Sequence, residues 1–160
     1  MSNIVVRTLS GAVFITLVLI PLFLNKDYLY YPVLFLFLIL GVIEFHSIFN
    51  AVPSLKINKP LANITVILSA LILTCSFINV TYLGFTTAIP VLFLILFITE
   101  LYRKQEQPIL NLAIPTLSFV YIAVPLVMAI LFQANTGSQF PYLALMFILI
   151  WTNDTFAYLC

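Results

Sequence analysis

Long apolar runs alternate with short polar breaks along the whole chain. The runs cover residues 8–24, 28–49, 61–80, 85–102, 109–132 and 140–160, and the breaks cover 25–27, 50–60, 81–84, 103–108 and 133–139. A hydrocarbon layer about 30 Å thick takes roughly 20 helical residues to cross, so each run is of spanning length or close to it. Stretches 33–40 and 91–98 are apolar on every side, whereas the strand of a membrane barrel alternates apolar and polar positions. The pattern therefore predicts an all-α, polytopic integral membrane protein of about six transmembrane helices, forming a single transmembrane domain over residues 1–160. Because the breaks are short, neighbouring helices should be antiparallel. Pro21, Pro90, Pro115 and Pro125 fall within or at the edges of runs. Bends are expected there, since neighbouring helices can satisfy the carbonyls that proline frees.

Composition sharpens this picture. Of 160 residues, 64% are hydrophobic and only 7% charged, against about 25% charged in an ordinary soluble domain. Too few polar side chains exist to wet a soluble surface. The net charge of +1 leaves no broad basic face, so nucleic acid is excluded as a partner. Cys75 and Cys160 lie in apolar runs and read as small hydrophobes. Arg7 ahead of the first run imitates a secretory signal, but no small-residue cleavage pattern follows Leu22, Phe23 and Leu24, so this run is expected to stay as a span.

Basic residues set the expected orientation, because positively charged loops stay on the cytoplasmic side. With a cytoplasmic N-terminus, Arg7, Lys56, Lys59, Arg103 and Lys104 are all inside, and only Lys26 is outside. The breaks at 81–84 and 133–139 carry no charge, as external turns should. The sixth run then points inward. Asp154 lies about fourteen residues into it, or roughly 21 Å along a helix, which places it toward the cytoplasmic face of a cell membrane.

Ionisable groups inside spans are costly and mark candidate sites. The densest polar group is Trp151, Thr152, Asn153, Asp154, Thr155 and Tyr158. At helical spacing Trp151, Asp154 and Tyr158 share a face, with Asn153 beside it. A carboxylate at a cytoplasmic opening suits a hard cation such as Mg²⁺, which takes oxygen ligands and bridges to phosphates. The same residue also reads as an interface or helix-to-helix partner, and the pattern alone does not choose. Glu44 and His46 stand about 200° apart on one helix and are expected to serve packing or the interface. Glu100, beside Arg103 and Lys104, is expected to be a solvated helix end. No glycine-rich phosphate loop, HExxH motif or Cys/His metal spacing is present.

The segment LIWTNDTFAYLC, residues 149–160, resembles a stretch of the CDP-diacylglycerol synthases, also called phosphatidate cytidylyltransferases. Trp151, Asp154, Ala157 and Tyr158 match that family's W-x-x-D-x-x-A-Y pattern in order. The opening RTLSGAVFITLVLIPLFL from Arg7, the Glu44-Phe45 pair and the stretch IPTLSFVYIAVPLVMAIL from Ile114 are similar in placement.

The resemblance implies transfer of a cytidylyl group from CTP to phosphatidate, giving CDP-diacylglycerol and pyrophosphate with Mg²⁺ as cofactor. It implies a catalytic and metal-binding role for Asp154, substrate binding by Asn153, Tyr158 and Trp151, support from Glu44, membrane lipid as surroundings and a homodimer. The family's S-x-x-K-R and H-G-G-x-x-D-R signature does not occur here, so the chain is expected to be the N-terminal portion of a longer enzyme, inactive by itself. A CTP-dependent polyprenol kinase or related lipid-phosphate nucleotidyltransferase would share the membrane plan. A small transporter or noncatalytic membrane subunit is the rival of another class. Against it, transporter sites lie near the midplane, whereas the polar residues here gather toward one edge.

Overall fold

The computed structural model describes residues 3–24, 27–78, 86–135 and 142–159, and among these there are helices and turns but no strand. In chain order the helices are α1 (Asn3–Leu24), α2 (Asp27–Asn50), α3 (Lys59–Ile78), α4 (Ala88–Tyr102), α5 (Pro108–Ser118), a π-helical turn (Phe119–Ala123), α6 (Val124–Asn135) and α7 (Tyr142–Leu159). Among the described residues, every apolar run of the sequence thus falls on helix. Three continuous stretches, Leu29–Asn50, Lys59–Ile78 and Pro108–Ala134, are long and apolar enough to cross a membrane. The apolar helices Gly11–Leu24, Ala88–Tyr102 and Tyr142–Ala157 are shorter. Large side chains such as Leu9, Ile64, Phe97, Ile109, Val120 and Leu149 point outward, an apolar surface suited to hydrocarbon rather than water.

The chain divides into two compact units, 1–34 with 132–160, and 35–131. In the first, α1 packs against α7, and Val18, Leu22, Leu143 and Ala144 are buried. The Trp151 indole stacks on Phe147, with ring centroids 5.6 Å apart and planes 29° apart.

In the second unit, Leu38 and Val42 of α2, Val66 and Ala70 of α3, Ala123 of the π turn, and Val127 and Leu131 of α6 make one core. Close approach depends on small residues, as is usual between helices that share an apolar solvent. A methyl group added at Gly41 would sit 3.3 Å from Ile122 of the π turn. Pro125 gives a physical reason for that turn. Its ring would crowd the Tyr121 carbonyl in a regular α turn, and the backbone instead widens, with the Val124 N–H bonded to the Phe119 carbonyl five residues back.

A smaller cluster of Ile57, Ala62 and Ile114, joined by Phe45, Phe49 and Leu55, ties the α2–α3 connection to the helices. The α4–α5 connection is equally defined. Lys104 takes the left-handed conformation, φ 51°, which lets the chain reverse after α4, and Pro108 opens α5, where a missing N–H costs nothing.

Candidate functional site

The unit spanning 35–131 holds two buried polar networks built from residues far apart in sequence. The first starts at Glu100, in the last turn of α4 and only 3% exposed. Its Oε1 accepts a hydrogen bond from Asn111 Nδ2 at 2.6 Å, and its Oε2 accepts from Arg103 at 2.5 Å. Asn111 is buried on α5, and its Oδ1 accepts the backbone N–H of Lys56 at 3.1 Å. At the last residue of α2, Asn50 Oδ1 accepts the Ile57 N–H at 2.8 Å. Two side-chain carbonyls therefore hold consecutive amides of the 51–58 segment, and one of them is braced by a carboxylate.

The second network centres on His46, fully buried on α2. Its Nδ1 lies 2.6 Å from the Asn63 side-chain oxygen on α3, and its Nε2 lies 2.8 Å from Ser118 Oγ on α5. The Ser118 hydroxyl donates to the Pro115 carbonyl at 2.9 Å. An amide oxygen can only accept, so Nδ1 carries its proton toward Asn63, and Nε2 of the neutral ring faces the Ser118 hydroxyl, whose one hydrogen reaches Nε2 and the Pro115 carbonyl in turn. The network locks α2, α3 and α5 together immediately before the π turn.

These placements revise two expectations. Glu100 is not a solvated helix end, because Asn111 on the next helix caps its carboxylate and Arg103 covers the other oxygen. His46 does pack, but through both ring nitrogens. Asn63, Asn111 and Ser118 carry no charge and so escaped a search for ionisable groups. The available signal was an amide inside an apolar run, which the bilayer disfavours unless it is paired.

The residues singled out from the sequence lie elsewhere. Glu44 is exposed on α2, on the side away from His46. Asp154 and Asn153 are exposed on α7. Trp151 instead turns toward α1, lining a shallow groove with Ile15 and Leu19, so it does not share Asp154's surroundings. The side chain of Tyr158 lies outside the described residues. Thr152 and Thr155 spend their hydroxyl hydrogens on their own helix, at Ile148 and Trp151 carbonyls 2.6 and 2.7 Å away. Asp154 is thus the group on this face that can offer a charged oxygen outward.

Among the described residues no three His, Cys, Asp or Glu side chains cluster as a metal site. A lone carboxylate is nonetheless a usual protein contribution to Mg²⁺, which keeps waters and takes its other ligands from substrate phosphates. Asp154 fits that limited role. The arrangement is one open carboxylate on α7 in one unit, and in the other a rigid polar brace under two loops.

A search of curated proteins and of solved structures gave no match. Residues 5–160, nearly the full length, match the cytidylyltransferase family. The chain belongs to the cytidylyltransferase family.

Proposed function

We propose that this protein is a phosphatidate cytidylyltransferase that joins CTP and phosphatidate at the cytoplasmic face of a cell membrane. The observation that carries the reading is the family match over residues 5–160, within which the Trp151, Asp154, Ala157 and Tyr158 pattern falls on one helix, α7, with its carboxylate turned outward. A phosphate oxygen of phosphatidate attacks the α-phosphorus of CTP. The new bond is the diphosphate linkage of CDP-diacylglycerol, the bond broken is that between the α and β phosphates, and pyrophosphate leaves. Bound Mg²⁺ supplies charge neutralisation for the phosphates. Asp154 contributes one of its oxygen ligands, and Asn153 supplies an amide for substrate. The chief physical task is to hold two polyanions in line, a positioning problem that a rigid helical scaffold suits.

The test is transfer of radiolabel from CTP into lipid by membranes carrying the protein as its gene encodes it. Label at the α-phosphate, the one kept in CDP-diacylglycerol, should enter lipid when phosphatidate is supplied, and label at the γ-phosphate, the one a kinase would transfer, should not enter a polyprenol. Asp154→Asn, which replaces a charged metal ligand, should lower turnover by at least about a hundredfold, the upper end of what is lost when only a metal's outer partners are removed, with unchanged amounts of inserted protein. Label in a polyprenyl phosphate, or full activity of Asp154→Asn, would overturn the assignment.

A further inference from the structure

The two braced loops enclose something the proposed reaction does not use. Pro53, Ser54 and Lys56 from the α2–α3 connection face Gln105 and Glu106 from the α4–α5 connection across a cleft of about 110 Å³. Its walls carry one cation, one anion and two neutral hydrogen-bonding groups. Its shape is fixed from beneath, because Lys56 is held through its own backbone N–H by Asn111 and the Gln105 amide is tied to the Arg103 carbonyl at 3.2 Å.

The depth of the cleft is informative. It lies where Leu29–Asn50 ends and where Lys59–Ile78 and Pro108–Ala134 begin, the level at which apolar helix gives way to polar loop. Three residues beyond Glu106 an open apolar groove starts. Phe97, Ile109, Ala113, Leu117 and Val120 line about 760 Å³ of it, running along α5 for roughly 16 Å at helical rise. A small charged cleft at the rim and a long apolar groove beside it describe an amphiphile.

We propose that this is a binding site for a zwitterionic phospholipid whose headgroup carries a primary ammonium. Ser54 and Lys56 take the phosphate, Glu106 takes the ammonium, and one acyl chain lies along α5. A headgroup with only negative charge would leave Glu106 opposed to it. A trimethylated ammonium has no N–H to donate and fills more of a cleft this small.

The experiment is native mass spectrometry of the purified chain released from nanodiscs of equal parts phosphatidylethanolamine, phosphatidylcholine and phosphatidylglycerol. Phosphatidylethanolamine should be retained over either competitor. Lys56→Gln and Glu106→Gln should each weaken that retention about fivefold, the range for partly solvated charge contacts, and Leu117→Trp should weaken it by filling the groove. Soluble glycerophosphoethanolamine should compete poorly, since it lacks the chain. Equal retention of the three lipids would overturn the proposal, as would indifference to both charge substitutions or equal competition by the soluble headgroup. The lipid panel on the unsubstituted protein is decisive even if a variant does not fold, and it does not depend on cytidylyl transfer.

Discussion

Asn111 and Glu100 meet amide to carboxylate at 2.6 Å across the α4–α5 turn, and this bond decides which way round the Asn111 side chain sits. A carboxylate facing an N–H donor accepts, so the amide nitrogen must face Glu100. The amide oxygen is left to face the Lys56 N–H, 3.1 Å away. One side chain with a fixed polarity thereby joins a helix end, a second helix and a loop.

Removing that joint should be costly. Asn111→Ala leaves a buried carboxylate with one partner and a part-buried backbone amide without its side-chain acceptor. The expected destabilisation is about 2–4 kcal/mol, read as a fall in thermal midpoint in detergent. Hydrogen exchange should quicken at residues 55–57 and stay unchanged in α6. Asn111→Asp, which sets one carboxylate against another, should be at least as damaging.

Arg103 should matter less than its charge invites. Its side chain is 28% exposed in the pair with Glu100, so solvent already screens the contact. Arg103→Gln is expected to cost about 1 kcal/mol or less. A double-mutant cycle between Glu100 and Asn111 should instead show a coupling of about 1–3 kcal/mol. A larger effect at Arg103 than at Asn111 would contradict this ranking.

His46 yields a spectroscopic prediction. With the Asn63 oxygen 2.6 Å from Nδ1, the ¹⁵N spectrum of labelled imidazole should show the proton on Nδ1. Ser118→Ala should perturb that resonance and cost about 1–2 kcal/mol, while His46→Ala, which strands both Asn63 and Ser118, should cost about 2–4 kcal/mol.

Gly41 faces the π turn too closely for a branched side chain. The methyl of Gly41→Ala meets the γ2 methyl of Ile122, 3.3 Å away, so the gain in helix propensity, about 1 kcal/mol, is set against a neighbour that must give by a few tenths of an ångström. Gly41→Val should destabilise by about 1–3 kcal/mol, with Ile122→Ala restoring part of the loss.

The helical framework was legible because a run of some twenty apolar residues has few other ways to satisfy its backbone. Where the ends are described the boundaries moved little: the run at 109–132 became 108–135, and the run ending at 102 ends as helix at Tyr102. The π turn was not legible, since Pro115 and Pro125 announce a disturbance without giving its form. Nor were the buried networks. Glu100 sits three residues before Arg103, the ordinary spacing of a surface pair, and its burial comes from a residue eleven positions on, in another helix. The partners of His46 are 17 and 72 residues away, so no local pattern contains them. Asp154 is exposed on α7, and the role proposed for it comes from its motif alone.

Between Phe119 and Ala123 the backbone takes five residues for one wide loop of helix, one more than an α turn needs. The widened turn absorbs that surplus residue, so the segment after it keeps the phase of a regular helix one residue shorter. If the same residues wound instead as regular α-helix, the following segment would be rotated by about 100°. Val127 and Leu131 would then swing away from Val66 and Ala70, and an unchanged sequence would present the wrong stripe to its neighbours.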